Sequence, residues 1–208
     1  MERFDDIVIE RFGAGTPILT EDLIALFPDV TEATVFNAIK RSLSDGALER
    51  YQRGVYFVPR ENALGRVPLS AVKVVERRWL QDGDGVCGSY SGSMLENKVG
   101  LTTQVPAVLE ITTNKEKKRV REVSPFGGWR KIELRAPRTK ITDENVDALR
   151  LLDILTRVSP AKLERYELEK LGQLARKVGR GKAVEYARFY PGKTSKNLME
   201  CEVLGIFA

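Results

Sequence analysis

Histidine is absent from the 208 residues of this chain. Catalytic triads built on histidine and zinc sites with histidine ligands are therefore excluded. Cysteine is scarce, and Cys87 and Cys201 stand more than a hundred positions apart, so they predict no cysteine-ligated metal cluster. We expect both cysteines to be reduced thiols of a cytoplasmic protein, and we predict no metal site.

Long hydrophobic runs are also lacking. No apolar stretch approaches the ~18 residues of a membrane-spanning helix, and the N-terminus lacks the basic and apolar regions of a secretion signal. Apolar residues make up 42% of the chain and charged residues 30%. This composition is enough for a buried core in one large domain or two small ones. We therefore expect a folded cytoplasmic protein without a membrane partner.

The net charge of +5 is unevenly distributed. Residues 1–62 carry 7 Lys/Arg and 11 Asp/Glu, a net of −4, and the remainder carries 27 and 18, a net of +9. Only Asp45 and Glu49 among the N-terminal acids lie in the window 38–60, which holds five of the cations. Attraction to phosphate is local because salt screens charges beyond ~8–10 Å. The window is therefore a candidate nucleic-acid contact despite the acidic N-terminal third.

Residues 16–59 have the pattern of two short helices followed by a β-hairpin. Thr20 is the predicted N-cap of the first, which ends at Phe27 and Pro28. Thr31 is the predicted N-cap of the second, which runs to about Ser44. With a preceding helix that ends at Phe12, this order predicts a winged helix-turn-helix over residues 1–62.

The second of these helices has two unlike sides at 100° per residue. Its apolar side holds Val35, Phe36, Ile39 and Leu43 and is expected to pack against the other helices. The opposite side is short and polar at its start and cationic further on, which suits base edges followed by phosphates. Its candidate DNA contacts are Ala33, Thr34, Asn37, Lys40, Arg41 and Ser44. Asn37 could read adenine, and Arg41 guanine or phosphate.

The predicted hairpin alternates Leu48, Val55 and Phe57 as apolar positions around a tip at Arg53-Gly54. Arg53 and Arg50 are candidate phosphate or minor-groove contacts. A merely solvated helix face is the alternative for the preceding helix, and winged helices also mediate protein contacts.

Residues 63–208 predict a second, mixed domain of short antiparallel strands and several helices, so the fold class is α+β. Helices are predicted over residues 70–80 and 93–100, then strands over 107–113, 119–123 and 132–135. Residues 114–118 and 125–128 are the expected turns between them. Thr142 opens a predicted helix to about Val158, Ser159-Pro160 opens another that ends near Gly179, and two shorter helices follow around Pro191.

The sheet region of this second domain is rich in cations. They could extend a DNA footprint, contact RNA, face an acidic protein surface, or form a solvated hairpin face. These candidates for a second nucleic-acid or protein surface are Lys115, Lys117, Lys118, Arg119, Arg121, Arg130, Lys131, Arg135, Arg138 and Lys140.

The order of motifs resembles a known family. The hairpin ends in Arg53-Gly-Val-Tyr-Phe-Val-Pro59, a helix ends in Gly100-Leu-Thr-Thr-Gln-Val-Pro106, and the tail contains Tyr186-Ala-Arg-Phe-Tyr-Pro191. Together these segments resemble the AbiEi-like antitoxins and transcriptional regulators of bacterial abortive-infection (type IV) toxin–antitoxin systems. The string from Gly100 to Pro106 is the most specific of them.

The resemblance implies two activities. The winged helix would bind inverted repeats in the operon's own promoter as double-stranded DNA and repress transcription, and the C-terminal domain would neutralise a nucleotidyltransferase-type toxin, directly or indirectly. The sequence shows no dimerisation heptad, so two monomers and a preformed dimer remain open as the binding species. The alternative is a protein- or RNA-interaction module without promoter specificity.

The sequence gives little support for the hypothesis that the protein is an enzyme. Pro191-Gly-Lys-Thr194 resembles the end of a phosphate-binding loop, but Ala187 stands where the first glycine is required. Asp82, Asp84, Ser89 and Ser91 have no predicted base or metal ligand within reach. We therefore predict a protein that is not an enzyme and that needs no cofactor.

Overall fold

The computed structural model describes residues 4–124 and 130–208. The fold is α+β, with helices and short strands in both halves of the chain. The contacts within the chain divide it into two compact units, one up to Arg78 and one from Trp79 onward. The domain boundary between residues 62 and 63 stays a prediction.

The first unit consists of short helices around a small sheet. Its helices are α1 (Phe4–Phe12), α2 (Thr20–Leu26), α3 (Glu32–Ser44) and α4 (Ala71–Val75), and a π-helical turn follows (Glu76–Leu80). Its strands are β1 (Ile18–Leu19), β2 (Glu49–Gln52), β3 (Val55–Phe57), β4 (Glu61–Asn62) and β5 (Gly65–Arg66).

The hairpin of β2 and β3 is part of a three-stranded antiparallel sheet in the order β1-β3-β2. Val55, Tyr56 and Phe57 of β3 are all buried, and Tyr56 belongs to the core of the unit. The predicted two-stranded hairpin is present, and β1 adds a third strand that the sequence pattern does not indicate.

The core of the first unit joins all of its main elements. Val8 of α1, Leu23 of α2, Ile39 of α3 and Tyr56 of β3 belong to one buried cluster. Phe4 and Phe27 stack at its edge with ring centroids 4.9 Å apart. Burial of apolar side chains from three helices and a sheet holds the orientation of α3.

Among the described residues, the second unit has a four-stranded sheet, a two-stranded hairpin and five α-helices. Its strands are β6 (Gln81–Asp82), β7 (Gly85–Val86), β8 (Gly88–Tyr90), β9 (Val108–Thr113), β10 (Arg121–Val123) and β11 (Lys131–Arg135). Its helices are α5 (Gly92–Val99), α6 (Val146–Arg157), α7 (Arg165–Val178), α8 (Arg180–Ala187) and α9 (Gly192–Val203), with a 3₁₀ turn at Pro160–Lys162.

The main sheet of this unit has the order β10-β11-β9-β8, and β9 pairs with β11 in parallel. The prediction of purely antiparallel strands is therefore wrong, as is the expected hairpin of β9 with β10. Asn114 turns the chain away from β9, because its side-chain amide donates to the Ile141 carbonyl and accepts from the Ile141 amide. Strand β10 instead pairs antiparallel with β11. The turn expected at residues 125–128 lies outside the described residues.

Helix α6 is the centre of the second unit. It packs against β8, α5, α7, α8 and α9, and its apolar positions, including Leu151 and Leu155, are fully buried. It begins at Val146, four residues after the predicted cap, because the Asn145 side chain accepts from the Thr142 amide.

Helix α7 also begins later than predicted. A 3₁₀ turn follows Ser159, and α7 starts at Arg165, where the Glu167 carboxylate accepts from the Glu164 amide. No helix within residues 4–124 and 130–208 combines the length and the apolar character needed to span a membrane.

Candidate nucleic-acid interface

Helix α3 starts at a well-formed cap. Thr31 is the N-cap, and its hydroxyl oxygen accepts from the Thr34 amide at 3.4 Å, as the sequence predicts. The two threonine hydroxyl oxygens are 2.9 Å apart. The Thr34 hydroxyl therefore takes part in the cap, which limits its freedom to contact a base. For the preceding helix, the predicted cap at Thr20 is wrong, since Leu19 is the N-cap residue and its amide donates to Asp22.

The inward side of α3 is fixed by packing and by one polar contact. Val35 and Ile39 are each 2% exposed. Ser42 is also buried, and its hydroxyl donates to the Asp5 carboxylate of α1. Sequence periodicity found the apolar positions but missed Ser42, because a serine at a helical core position carries no hydrophobic signal.

The outward side of α3 carries the residues that the sequence analysis names as candidate DNA contacts. Every one of its six predicted residues is exposed: Ala33, Thr34, Asn37, Lys40, Arg41 and Ser44. The side chains of Asn37, Lys40 and Arg41 have no hydrogen-bond or ion-pair partner among the residues that the structure describes. Their donors and acceptors are therefore available to a ligand.

Phe36 departs from the prediction. It was expected on the packed side, yet it is 41% exposed. At 100° per residue it lies on the border between the buried side and Lys40, where the neighbouring elements no longer cover the helix. The exposed side of α3 thus has an apolar edge.

The hairpin presents one cation at its tip. Arg53 is exposed and Gly54 beside it has φ +77°, a conformation that an L-residue rarely adopts. The Gly54 carbonyl accepts from the Thr20 amide at 3.1 Å, which ties the tip to the start of α2. Arg50 is exposed as well, with its guanidinium 6.0 Å from the centroid of the Tyr56 ring. Both predicted hairpin cations are accessible on a defined backbone.

The ten predicted cations of the second unit do not form one surface. Three of them already have a hydrogen-bond or ion-pair partner within the unit. Lys115 donates to the Gln81 carbonyl, Arg121 pairs with Glu116, and Arg135 pairs with Glu133. Arg130 is partly buried, and Lys118, Lys131 and Lys140 are exposed.

Four of the ten predicted cations, including the paired Arg135, lie at a concave site. Lys117, Arg119, Arg135 and Arg138 line a single cavity together with Arg157 of α6, which the sequence prediction missed. In the sequence, Arg157 lies near the end of a predicted helix that is identified by its buried apolar residues. Only the three-dimensional fold brings Arg157 to the sheet. Two other lining residues, Asp153 and Tyr190, were missed for the same reason.

The string that carries the family resemblance is an ordered loop. The Asn97 side-chain amide donates to the carbonyls of Thr102 and Gln104, at 3.2 and 2.9 Å. The buried Leu101 anchors the start of the loop. The side chains of Thr103, Gln104 and Val105 are exposed.

Comparison with protein-family models finds no match, and no curated protein matches the sequence.

Proposed function

We propose that this protein is an antitoxin and autorepressor of a bacterial toxin–antitoxin operon, of the AbiEi-like kind. Its first unit acts as a winged helix-turn-helix that binds inverted repeats in its own promoter. The observation that carries the proposal is the exposed, unpartnered face of α3 around Asn37, Lys40 and Arg41.

The proposal assigns a role to each part of this face. An α-helix fits the major groove, where Asn37 can make a bidentate contact with adenine and Arg41 one with guanine. Lys40 and Arg53 neutralise phosphates and fix the register on the duplex. The core behind α3 supports these roles, because Ile39 and Val35 hold the helix rigidly while its outer side stays open.

The antitoxin role belongs to the second unit in this proposal. It is supported by the order of motifs in the sequence, and above all by the segment Gly100 to Pro106. The exposed side chains of Gln104 and Val105 on a loop held by Asn97 offer a surface for a nucleotidyltransferase-type toxin.

A gel-shift titration of the full chain with its own upstream region tests DNA binding. Specific binding should persist with competitor DNA, and log affinity should fall with log salt by about 0.9 for each phosphate neutralised. Asn37→Ala should weaken operator binding by roughly 1–3 kcal/mol, and Arg41→Ala by a similar amount, because each removes a base contact. Specificity should be lost when both are changed.

Lys73→Ala is the matched control. Lys73 is an exposed cation that belongs to α4 and not to α3 or the hairpin, and its loss should leave operator affinity nearly unchanged. Equal affinity of the double variant and the parent would refute the assignment of α3. It would favour the alternative of a protein- or RNA-interaction module.

Co-expression with the adjacent toxin gene tests the antitoxin role. Cells carrying both genes should grow, and cells carrying the toxin alone should not. Persistent toxicity in the presence of soluble, folded protein would refute this part of the proposal.

A further inference from the structure

The second unit contains a cavity of about 600 Å³ that the proposed DNA binding does not use. Residues of β8, β9, β11 and α6 line it, together with the segment after β11. This volume lies in the range of small-molecule sites, ≈ 300–1,000 Å³.

Cations outnumber carboxylates on the cavity wall. Five lining residues are cationic, namely Lys117, Arg119, Arg135, Arg138 and Arg157, against the carboxylates of Glu110 and Asp153. Arg135 and Arg157 already pair with Glu133 and Glu96. The other three form no salt bridge among the described residues and are exposed. The cavity therefore offers three cationic groups to an anion.

A residue of the cavity wall carries a hydroxyl without a partner. Ser91 is 6% exposed and lines the cavity. Its Oγ is the one buried side-chain oxygen or nitrogen of residues 4–124 and 130–208 that lacks a hydrogen bond. Leaving such a group unsatisfied is costly, so a ligand polar group that comes within reach of this hydroxyl would be stabilised.

The Glu110 carboxylate has a structural role next to Ser91. It lies so close to Gly92 at the start of α5 that a Cβ there would be 1.0 Å from a carboxylate oxygen. A negative charge at this place is favourable beside the N-terminus of a helix. A ligand phosphate would be repelled by this carboxylate and attracted to Lys117, Arg119 and Arg138.

The cavity also has an apolar wall. Ile141 and Leu149 are buried there, and the Arg138 guanidinium stands 5.1 Å from the centroid of the Tyr190 ring. An aromatic ring next to aliphatic side chains is a suitable surface for a flat heterocycle, and Arg138 beside it can reach a phosphate on the same ligand.

We propose that this cavity binds a mononucleotide. Lys117, Arg119 and Arg138 hold its phosphate. The base packs on the wall of Ile141, Leu149 and Tyr190, and Ser91 bonds to a hydroxyl or amino group of the nucleoside. Duplex DNA does not fit this chemistry, because its phosphates lie on a convex surface and cannot enter a concave site beside the half-buried carboxylates of Glu110 and Asp153.

Isothermal titration of the full chain tests the proposal. The probes are the 5′-monophosphates of adenosine, guanosine, cytidine and uridine, their unphosphorylated nucleosides, and inorganic phosphate. At least one monophosphate should bind with a dissociation constant below about 1 mM, and at least about tenfold more tightly than its nucleoside or phosphate alone.

Three variants locate the binding. Arg119→Ala combined with Arg138→Ala should weaken binding by about tenfold or more, since both phosphate contacts are charge-assisted. Lys131→Ala combined with Lys140→Ala removes two exposed cations that do not line the cavity, and affinity should stay the same. Ser91→Ala should weaken binding about threefold to tenfold while leaving the thermal midpoint equal or higher, because it removes an unsatisfied group.

Several results would overturn the proposal. These are the absence of binding by all four monophosphates, equal affinity for inorganic phosphate, or an equal loss of affinity in the Lys131/Lys140 control. Binding of a single-stranded oligonucleotide without binding of any monophosphate would also overturn it. The cavity and its variants lie outside the first unit, so failure here leaves the operator-binding test unaffected.

Discussion

The carboxylate of Asp22, in the first turn of α2, accepts two hydrogen bonds from the guanidinium of Arg77, 55 positions later in the chain. Their side chains are only 9% and 12% exposed. Asp22 also accepts from the Leu19 amide at 2.8 Å, where β1 meets α2. One carboxylate thus fixes both the start of α2 and the π-helical turn after α4.

Replacing Arg77 should therefore destabilise the first unit strongly. Arg77→Met leaves the Asp22 carboxylate buried without its cation, and breaking such a pair costs about 3–5 kcal/mol. Urea unfolding of the full chain measures the change. Adding Asp22→Asn should recover part of the loss because it removes the uncompensated charge. A loss below about 1 kcal/mol for Arg77→Met would show that water screens the pair.

The first unit shows how far sequence periodicity reaches. Helix α3 and its polar face follow from the 100° repeat and from Thr31, because both signals are local. The burial of Ser42 is not indicated by the sequence, because it depends on Asp5 of α1. The exposure of Phe36 is not indicated either, because it depends on where the neighbouring elements stop covering the helix. The burial of Tyr56 depends on the pairing of β3 with β1, which are far apart in sequence.

The cavity of the second unit could not be predicted from local sequence patterns. Its cations are Lys117, Arg119, Arg135 and Arg138 around the sheet and Arg157 on α6. The first four are among the basic candidates named from the sequence, but the sequence cannot bring Arg157 to them. That step depends on the packing of α6 against β8 and α5, which are far from it in the sequence.

Two glycines should respond to alanine with opposite signs. Gly54→Ala places a Cβ at φ +77°, which should cost about 1–2 kcal/mol, whereas Thr20 Oγ1 at 3.5 Å leaves enough space. Gly181→Ala lies in α8 with nothing within 4 Å, and it should stabilise by up to ~1 kcal/mol. Thermal unfolding of both variants gives the comparison. Stabilisation by Gly54→Ala would rule out the left-handed turn beside Arg53.

The carboxylate of Glu116 should stabilise the fold above about pH 4.5, and this stabilisation should be lost in stronger acid. The amide of Lys118 and the guanidinium of Arg121 hold the pKa of this carboxyl at about 2, below its ordinary 4.5. A lowered native pKa stabilises the fold fully above about pH 4.5, and this contribution disappears as the pH falls towards 2. Glu116→Gln should therefore lower the unfolding midpoint at pH 7 and reduce the dependence on pH between 4.5 and 2.

Glu122→Gln on β10 is the control, because this exposed carboxylate makes no hydrogen bond or salt bridge with the described residues. Its unfolding midpoint should follow the parent's at every pH. If Glu116→Gln behaved in the same way, the turn around residues 116–118 would not depend on the carboxylate.

Asp153 should have the opposite dependence on pH. Burial raises the pKa of this carboxyl to about 6, although the Tyr190 hydroxyl and the cations of Arg138, Arg135 and Arg157 favour its charged form. The native state therefore keeps the proton that the unfolded chain releases near pH 3.8, so stability falls as the pH rises from 3.8 to 6. Asp153→Asn should remove this loss and raise stability by roughly 2 kcal/mol at pH 7, with little change at pH 4. Denaturant unfolding at the two pH values measures the difference. A variant less stable than the parent at pH 7 would show that the three arginines outweigh burial, and that the cavity needs the negative charge to hold its cations together.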